Sequence, residues 1–127
     1  MQNKTIIYYS ANKINPFFAN KVIDQIRWAS NNEIPIISIT QKPMKNLGTN
    51  VCVGDIGQSL QNIYYQILKG LLLTNTKYVI CCEDDTFYLR EHFEYIPKMP
   101  ISYNLNRWNL HTNQKIFSYR KRVVMGP

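Results

Sequence analysis

The sequence predicts an α/β fold: a mostly parallel sheet with helices on both faces. Two observations carry this. Apolar, β-rich runs stand at residues 5–10, 35–40 and 78–82, and segments with apolar residues at helical spacing separate them. The resulting β-α-β-α-β order is the signature of parallel strands joined by right-handed helical crossovers.

The first run, Thr5-Ile6-Ile7-Tyr8-Tyr9-Ser10, reads as a strand that ends in the turn-like Ala11-Asn12-Lys13. Asn15-Pro16 is a helix start signal, with proline at the first helical position. The helix should run from Pro16 to about Ser30 and turn Phe18, Val22, Ile26 and Ala29 to the sheet, and Asn31-Asn32 closes it. Pro35 to Thr40 is the second strand, followed by Gln41-Lys42-Pro43 and a polar loop through Gly48. Val51-Cys52-Val53 is a short third strand before Gly54-Asp55-Ile56-Gly57. Ser59 caps a second helix that reaches about Leu73 with Leu60, Ile63, Tyr64, Ile67, Leu68 and Leu71 as its apolar residues; Gly70 within it permits close packing. Tyr78-Val79-Ile80-Cys81-Cys82 reads as a strand buried on both faces, in the manner of a central parallel strand. Arg90 to Tyr95 is a short helical turn. The stretch from Ile101 to Val124 is rich in β-formers and supplies one or two strands around a turn at Thr112-Asn113.

Length and composition bound the function. A chain of 127 residues fits one domain, here 1–127, and can bury a real core. No apolar stretch approaches the ~20 residues that span a bilayer. Met1-Gln2-Asn3-Lys4 runs straight into a strand without a signal-peptide pattern, and three cysteines lack metal-ligand spacing, which together point to a reducing, cytoplasmic setting. Cys81 and Cys82, on opposite faces of their strand, are expected to pack as small apolar residues and stay unreactive. The net charge of +7 favours a phosphate-bearing partner. The basic residues are scattered except for Arg120-Lys121-Arg122, a cluster too brief to indicate nucleic-acid binding.

The most informative feature is Glu83-Asp84-Asp85, directly after the apolar run 78–82. At the carboxyl end of a parallel strand, three carboxylates face the crevice where open α/β sheets bind ligands. Like charges so close raise one another's pKa unless a cation lies between them. Such oxygen-rich clusters suit Mg²⁺ or Mn²⁺, held by one or two carboxylates plus substrate phosphates. A solvated acidic turn is the plainer alternative; the strand in front favours the ligand site. The loops 9–13, 41–45 and 83–86 converge at the same sheet end and gather backbone, lysines and carboxylates into a nucleotide-diphosphate site with a metal.

The segment Tyr78 to Thr86 resembles the strand and DxD motif of GT-A glycosyltransferases, especially the family 2-like group. The first strand with its Tyr-Ser-Ala-Asn ending, and Gly57-Gln58-Ser59 opening the helix before the acidic strand, follow the same order, so the resemblance covers roughly residues 5–95. It implies a Rossmann-like three-layer sandwich of the GT-A type and a metal-dependent glycosyltransferase, or its donor-binding domain, acting on a nucleotide-diphosphate sugar and an unidentified acceptor. By that resemblance Asp85 meets the metal (Mn²⁺ or Mg²⁺), Glu83 occupies the first acidic position near the ribose, and Tyr9, Ser10, Ala11 and Asn12 border base and ribose. Lys42 joins the donor site from the second loop, and Asp84, pointing the other way, supports it. The motif's cation would stabilise charge on the leaving diphosphate as a Lewis acid.

The chain departs from that pattern in one respect: no Asp or Glu follows Glu94, where family members carry a catalytic base. His111 is the remaining general-base candidate in this stretch, His92 is assigned to a surface turn, and Trp108 to core or interface packing. A fragment lacking the acceptor-binding part, or a minimal member completed by a partner chain or a homo-oligomer, is consistent with this. The alternative function is a non-catalytic nucleotide-sugar-binding module. A metal-dependent nucleic-acid enzyme is less favoured, because no second carboxylate cluster appears.

Overall fold

The computed structural model describes residues 3–111 and 113–120, with backbone alone at Arg120. Thr112 of the expected turn, and Lys121 and Arg122 of the basic cluster, lie outside the described residues. Two compact units divide the chain, residues 1–95 and 96–127, where the sequence reading drew a single domain.

In the first unit the elements are β1 (Lys4–Ser10), α1 (Pro16–Ala29), β2 (Ile36–Thr40), β3 (Thr49–Cys52), α2 (Leu60–Leu73), β4 (Tyr78–Glu83) and α3 (Arg90–Glu94). All four strands are parallel, in the order β3-β2-β1-β4. The chain moves from β1 outward to β2 and β3, then returns through α2 to the other side of β1. With right-handed crossovers this reversal places α1 and α2 on opposite faces, which gives the α/β sandwich its layers. It also creates a topological switch point between β1 and β4.

Helix α1 forms as expected: Asn15 caps it, its Oδ1 accepting from Phe17 N at 2.8 Å, with Pro16 at the first turn. Val22, Ile23, Ile26 and Ala29 are buried against Ile6 and Tyr8 of β1 and Ile80 and Cys82 of β4, and Phe18 packs on this core. On the opposite face, α2 packs on β1 and β2. There Gly70 lies so close to β1 that a Cβ would fall 2.7 Å from Ile7 Cγ2. The close packing expected of Gly70 is therefore present, and it selects which side of α2 is buried. Gln66 and Gly70 are buried, whereas Leu60, Tyr64, Leu68 and Leu71 are exposed. The sequence could not choose this side because the side richest in leucine is the one left exposed.

β4 differs from its expected central place: it ends the sheet. Its inner neighbour is β1, and its outer edge is met by segment 86–95, where Tyr88 Oη accepts from Glu83 N at 2.8 Å. Because α2 covers β1 and β2 rather than β4, Cys82 is buried against α1 while Cys81 is exposed, which corrects the expectation that both thiols are sequestered. At the opposite end of the strands, the buried Lys4 ammonium donates to the carbonyls of Phe93 and, at 3.2 Å, Tyr95. It supplies the cation that satisfies carbonyls left open at the end of α3.

The second unit is an antiparallel hairpin, β5 (Arg107–His111) and β6 (Ile116–Arg120). Trp108 does not fill a core here: it is exposed and pairs across the strands with Tyr119, ring centroids 5.1 Å apart.

Candidate functional site

The carboxyl ends of β1 and β4 lie side by side at the switch point, with Tyr9 in register with Glu83. Side-chain alternation then sorts the carboxylates by face. Tyr9 Oη donates to Glu83 Oε1 at 2.9 Å on one face, and Ser10 Oγ donates to Asp84 Oδ2 on the other. Asp84 thus points away from Glu83, as the strand geometry requires. Asp85, past the strand end, is exposed, and Thr86 Oγ1 donates to its Oδ1 at 3.2 Å.

The electrostatics follow from this packing. Burial, reinforced by Asp85, raises the Asp84 carboxyl above its ordinary range, against the lowering effect of the Ser10 hydroxyl. Burial, then the Glu83 charge, pushes the Tyr9 phenol far up, so it stays protonated and donates to Glu83. Glu83 and Asp84 are therefore held by part-buried hydroxyl donors, whereas Asp85, met among the described residues only by a hydrogen bond from its neighbour Thr86, faces water.

The loop after β1 is tied to the loop after β2. Asn12 adopts a left-handed backbone (φ 57°), its N–H donates to Ser10 Oγ at 2.8 Å, and its Oδ1 accepts from both Gln41 N and Lys42 N at 2.9 Å. The structure thus brings Tyr9, Ser10, Ala11, Asn12, Lys42, Glu83, Asp84 and Asp85 to one end of the sheet in the first unit. The Lys42 side chain is exposed there. His111 belongs to the second unit, where its Nε2 pairs with Ser118 Oγ at 2.9 Å on the exposed hairpin.

Two residues missed by the sequence reading organise this end. Gln41, buried, accepts at Oε1 from Ile56 N and Gly57 N, both at 3.2 Å, and donates from Nε2 to Gly57 O at 2.8 Å. Gln66 donates to Ser10 O at 3.0 Å and Ile39 O at 2.8 Å, the carbonyls at the ends of β1 and β2. A glutamine buried within the apolar run of α2 was the available signal, since a buried amide must find partners. The loop 53–57 is further joined to the first loop by an exposed Lys13–Asp55 ion pair at 3.7 Å, a contact of small energetic weight.

No family model, curated protein or solved structure matches this chain. What the fold offers stands on its geometry: an α/β unit with a four-stranded parallel sheet and polar groups gathered at its switch point. Among the described residues, no group of three or more His, Cys, Asp or Glu side chains is placed to hold a metal ion, and no helix is long and apolar enough to cross a membrane.

His92 also departs from expectation. Rather than lying on a surface turn, its ring is half-buried between Tyr88 (4.6 Å between centroids) and Phe93 (5.4 Å). Its Nε2 is buried without a hydrogen-bond partner among the described residues, and burial lowers its pKa.

Proposed function

We propose that the first unit binds the diphosphate of a nucleotide sugar with a divalent cation, Mn²⁺ or Mg²⁺, as the donor-binding domain of a GT-A-like glycosyltransferase. The carrying observation is the exposed Asp85 beside Glu83 at the switch point, where open α/β sheets take their ligands. A site without three protein ligands fits these cations, which keep waters and bind through one or two carboxylates together with substrate phosphates. Asp85 is the free ligand and Glu83 the second, oriented by Tyr9. The cation would supply charge stabilisation to the leaving diphosphate. Asn12 would hold the backbone beside the base and ribose in a fixed turn, and the exposed Lys42 would offer its ammonium to phosphate oxygens. Ser10 fixes Asp84, which supports the turn.

Calorimetry with uridine and guanosine diphosphates, with and without Mn²⁺, tests this. Metal-linked binding is expected, abolished by Asp85→Asn and weakened less by Glu83→Gln. Equal nucleotide affinity with and without metal removes the reading. Non-catalytic binding is the second reading, favoured by the absence of any Asp or Glu in residues 95–127. In it donor binding persists without transfer or donor hydrolysis; in the first, transfer or donor hydrolysis appears when Mn²⁺ is supplied. Cytoplasmic placement accompanies both readings.

A further inference from the structure

Helix α2 presents a second surface that the proposed donor site does not use. Its buried side carries Gln66 and Gly70, while Leu60, Tyr64, Tyr65, Leu68, Leu71 and Leu72 are 43–74% exposed. Residues 60, 64, 68, 71 and 72 recur at helical spacing, so they form one continuous stripe opposite the sheet. Apolar side chains gathered in one exposed patch ordinarily mark an interaction surface.

We infer that this stripe is the contact surface of a homodimer, with α2 packed against α2 of a second copy about a twofold axis. Complete coverage would suffice: with Tyr65 at its flank, the stripe exposes about 600 Å² per chain, so two fully covered copies would bury about 1,200 Å², the lower bound of specific interfaces. The charge distribution selects the occupant. The chain carries +7, so two copies repel wherever their basic surfaces meet, but α2 has a single charged residue, Lys69. That ammonium already lies 5.5 Å from the centre of its own Tyr65 ring. A charge-poor apolar stripe needs no complementary partner: it matches itself, and an isologous contact places each leucine row against its copy. A membrane-surface helix would instead carry Lys and Arg along its polar flank, and α2 does not.

Sedimentation velocity from about 1 to 200 µM tests the inference. A concentration-dependent dimer is expected, with Leu68→Glu and Leu72→Glu each raising its dissociation constant at least about tenfold, as burying a carboxylate against leucines requires. Phe17→Glu, on the exposed end of α1, leaves the dimer unchanged. In the unaltered chain, the dimer fraction should itself rise with concentration, a readout that needs no substitution. A monomer throughout the range overturns the inference. So does a dimer indifferent to both leucine changes, or a monomer that sediments with phosphatidylcholine–phosphatidylglycerol vesicles through Leu68 and Leu72.

Discussion

Replacing Gly70 with alanine tests the contact that fixes α2 on the sheet. The added Cβ would meet three atoms of Ile7: Cγ2 at 2.7 Å, Cδ1 at 3.0 Å and Cγ1 at 3.1 Å. Cγ2 sits directly on the branched Cβ, and a β-branched side chain in a strand has little rotamer freedom with which to withdraw. Overpacking of this kind costs about 1–3 kcal/mol. Alanine offsets about 1 kcal/mol of that through helix propensity. The net expectation is a loss of up to about 2 kcal/mol, seen as a fall in Tm of up to about 8–16 °C for a unit of this size. Urea titration followed by circular dichroism measures the change. In an Ile7→Ala background all three close atoms are gone, so Gly70→Ala should there become neutral or stabilising, and the difference between backgrounds is the coupling energy. If Gly70→Ala costs the same in both backgrounds, or stabilises the otherwise unaltered chain, α2 does not rest on Ile7.

Three further outcomes follow from the site and its surroundings. Asp84→Asn should raise stability at neutral pH while weakening nucleotide binding: the raised carboxyl pKa means the folded state opposes this charge, and an amide oxygen still accepts from Ser10. The gain should shrink as pH falls through the folded Asp84 pKa, where the original side chain takes up its proton; an Asn variant less stable at pH 7 refutes the assignment. His92 titrates in the opposite sense. Its folded pKa lies below the ordinary ~6.5, so stability is complete above that value and declines as pH falls below it, when the unfolded chain takes up the proton first. His92→Phe should flatten the profile below about pH 6.5, and an unchanged slope would show that another group drives it. For the thiols, Cys82 should resist alkylation in the native protein. Cys81 should label, but slowly at pH 7, because burial of its sulfur and the nearby Glu83 push its pKa up to about 11 even though the residue is exposed; mass spectrometry of tryptic peptides reads both.

The elements legible in the sequence were those with an unambiguous pattern. β1 is a continuous apolar run, and α1 announces itself through Asn15-Pro16 and a one-sided stripe; both stand within a residue or two of their expected ends. The gathering of loops 9–13 and 83–86 at one end of the sheet could be anticipated from βαβ order, though not the direct pairing of β1 with β4. Sheet order could not. A strand flanked on both sides and a strand at an edge look alike when both read Tyr-Val-Ile-Cys-Cys, so the exposure of Cys81 depended on where α2 came to rest. The orientation of α2 was equally hidden, because the side richest in leucine is the one left exposed, and Gly70 with the buried Gln66 marks the side on the sheet. Gln41 and Gln66 escaped notice because their work is done on backbone carbonyls and N–H groups of segments far away in sequence. No local pattern encodes that.

The Lys4 clasp has a topological consequence. By gripping the carbonyls of Phe93 and Tyr95, it brings the start and finish of the first unit together at the amino ends of the strands, the pole away from Glu83 and Asp85. The unit is a closed circuit with its entrance and exit at one door. Joining residue 95 to residue 3 through a short glycine linker, and opening the chain at the exposed Asn31-Asn32 turn, should therefore yield a permuted protein with the same sheet.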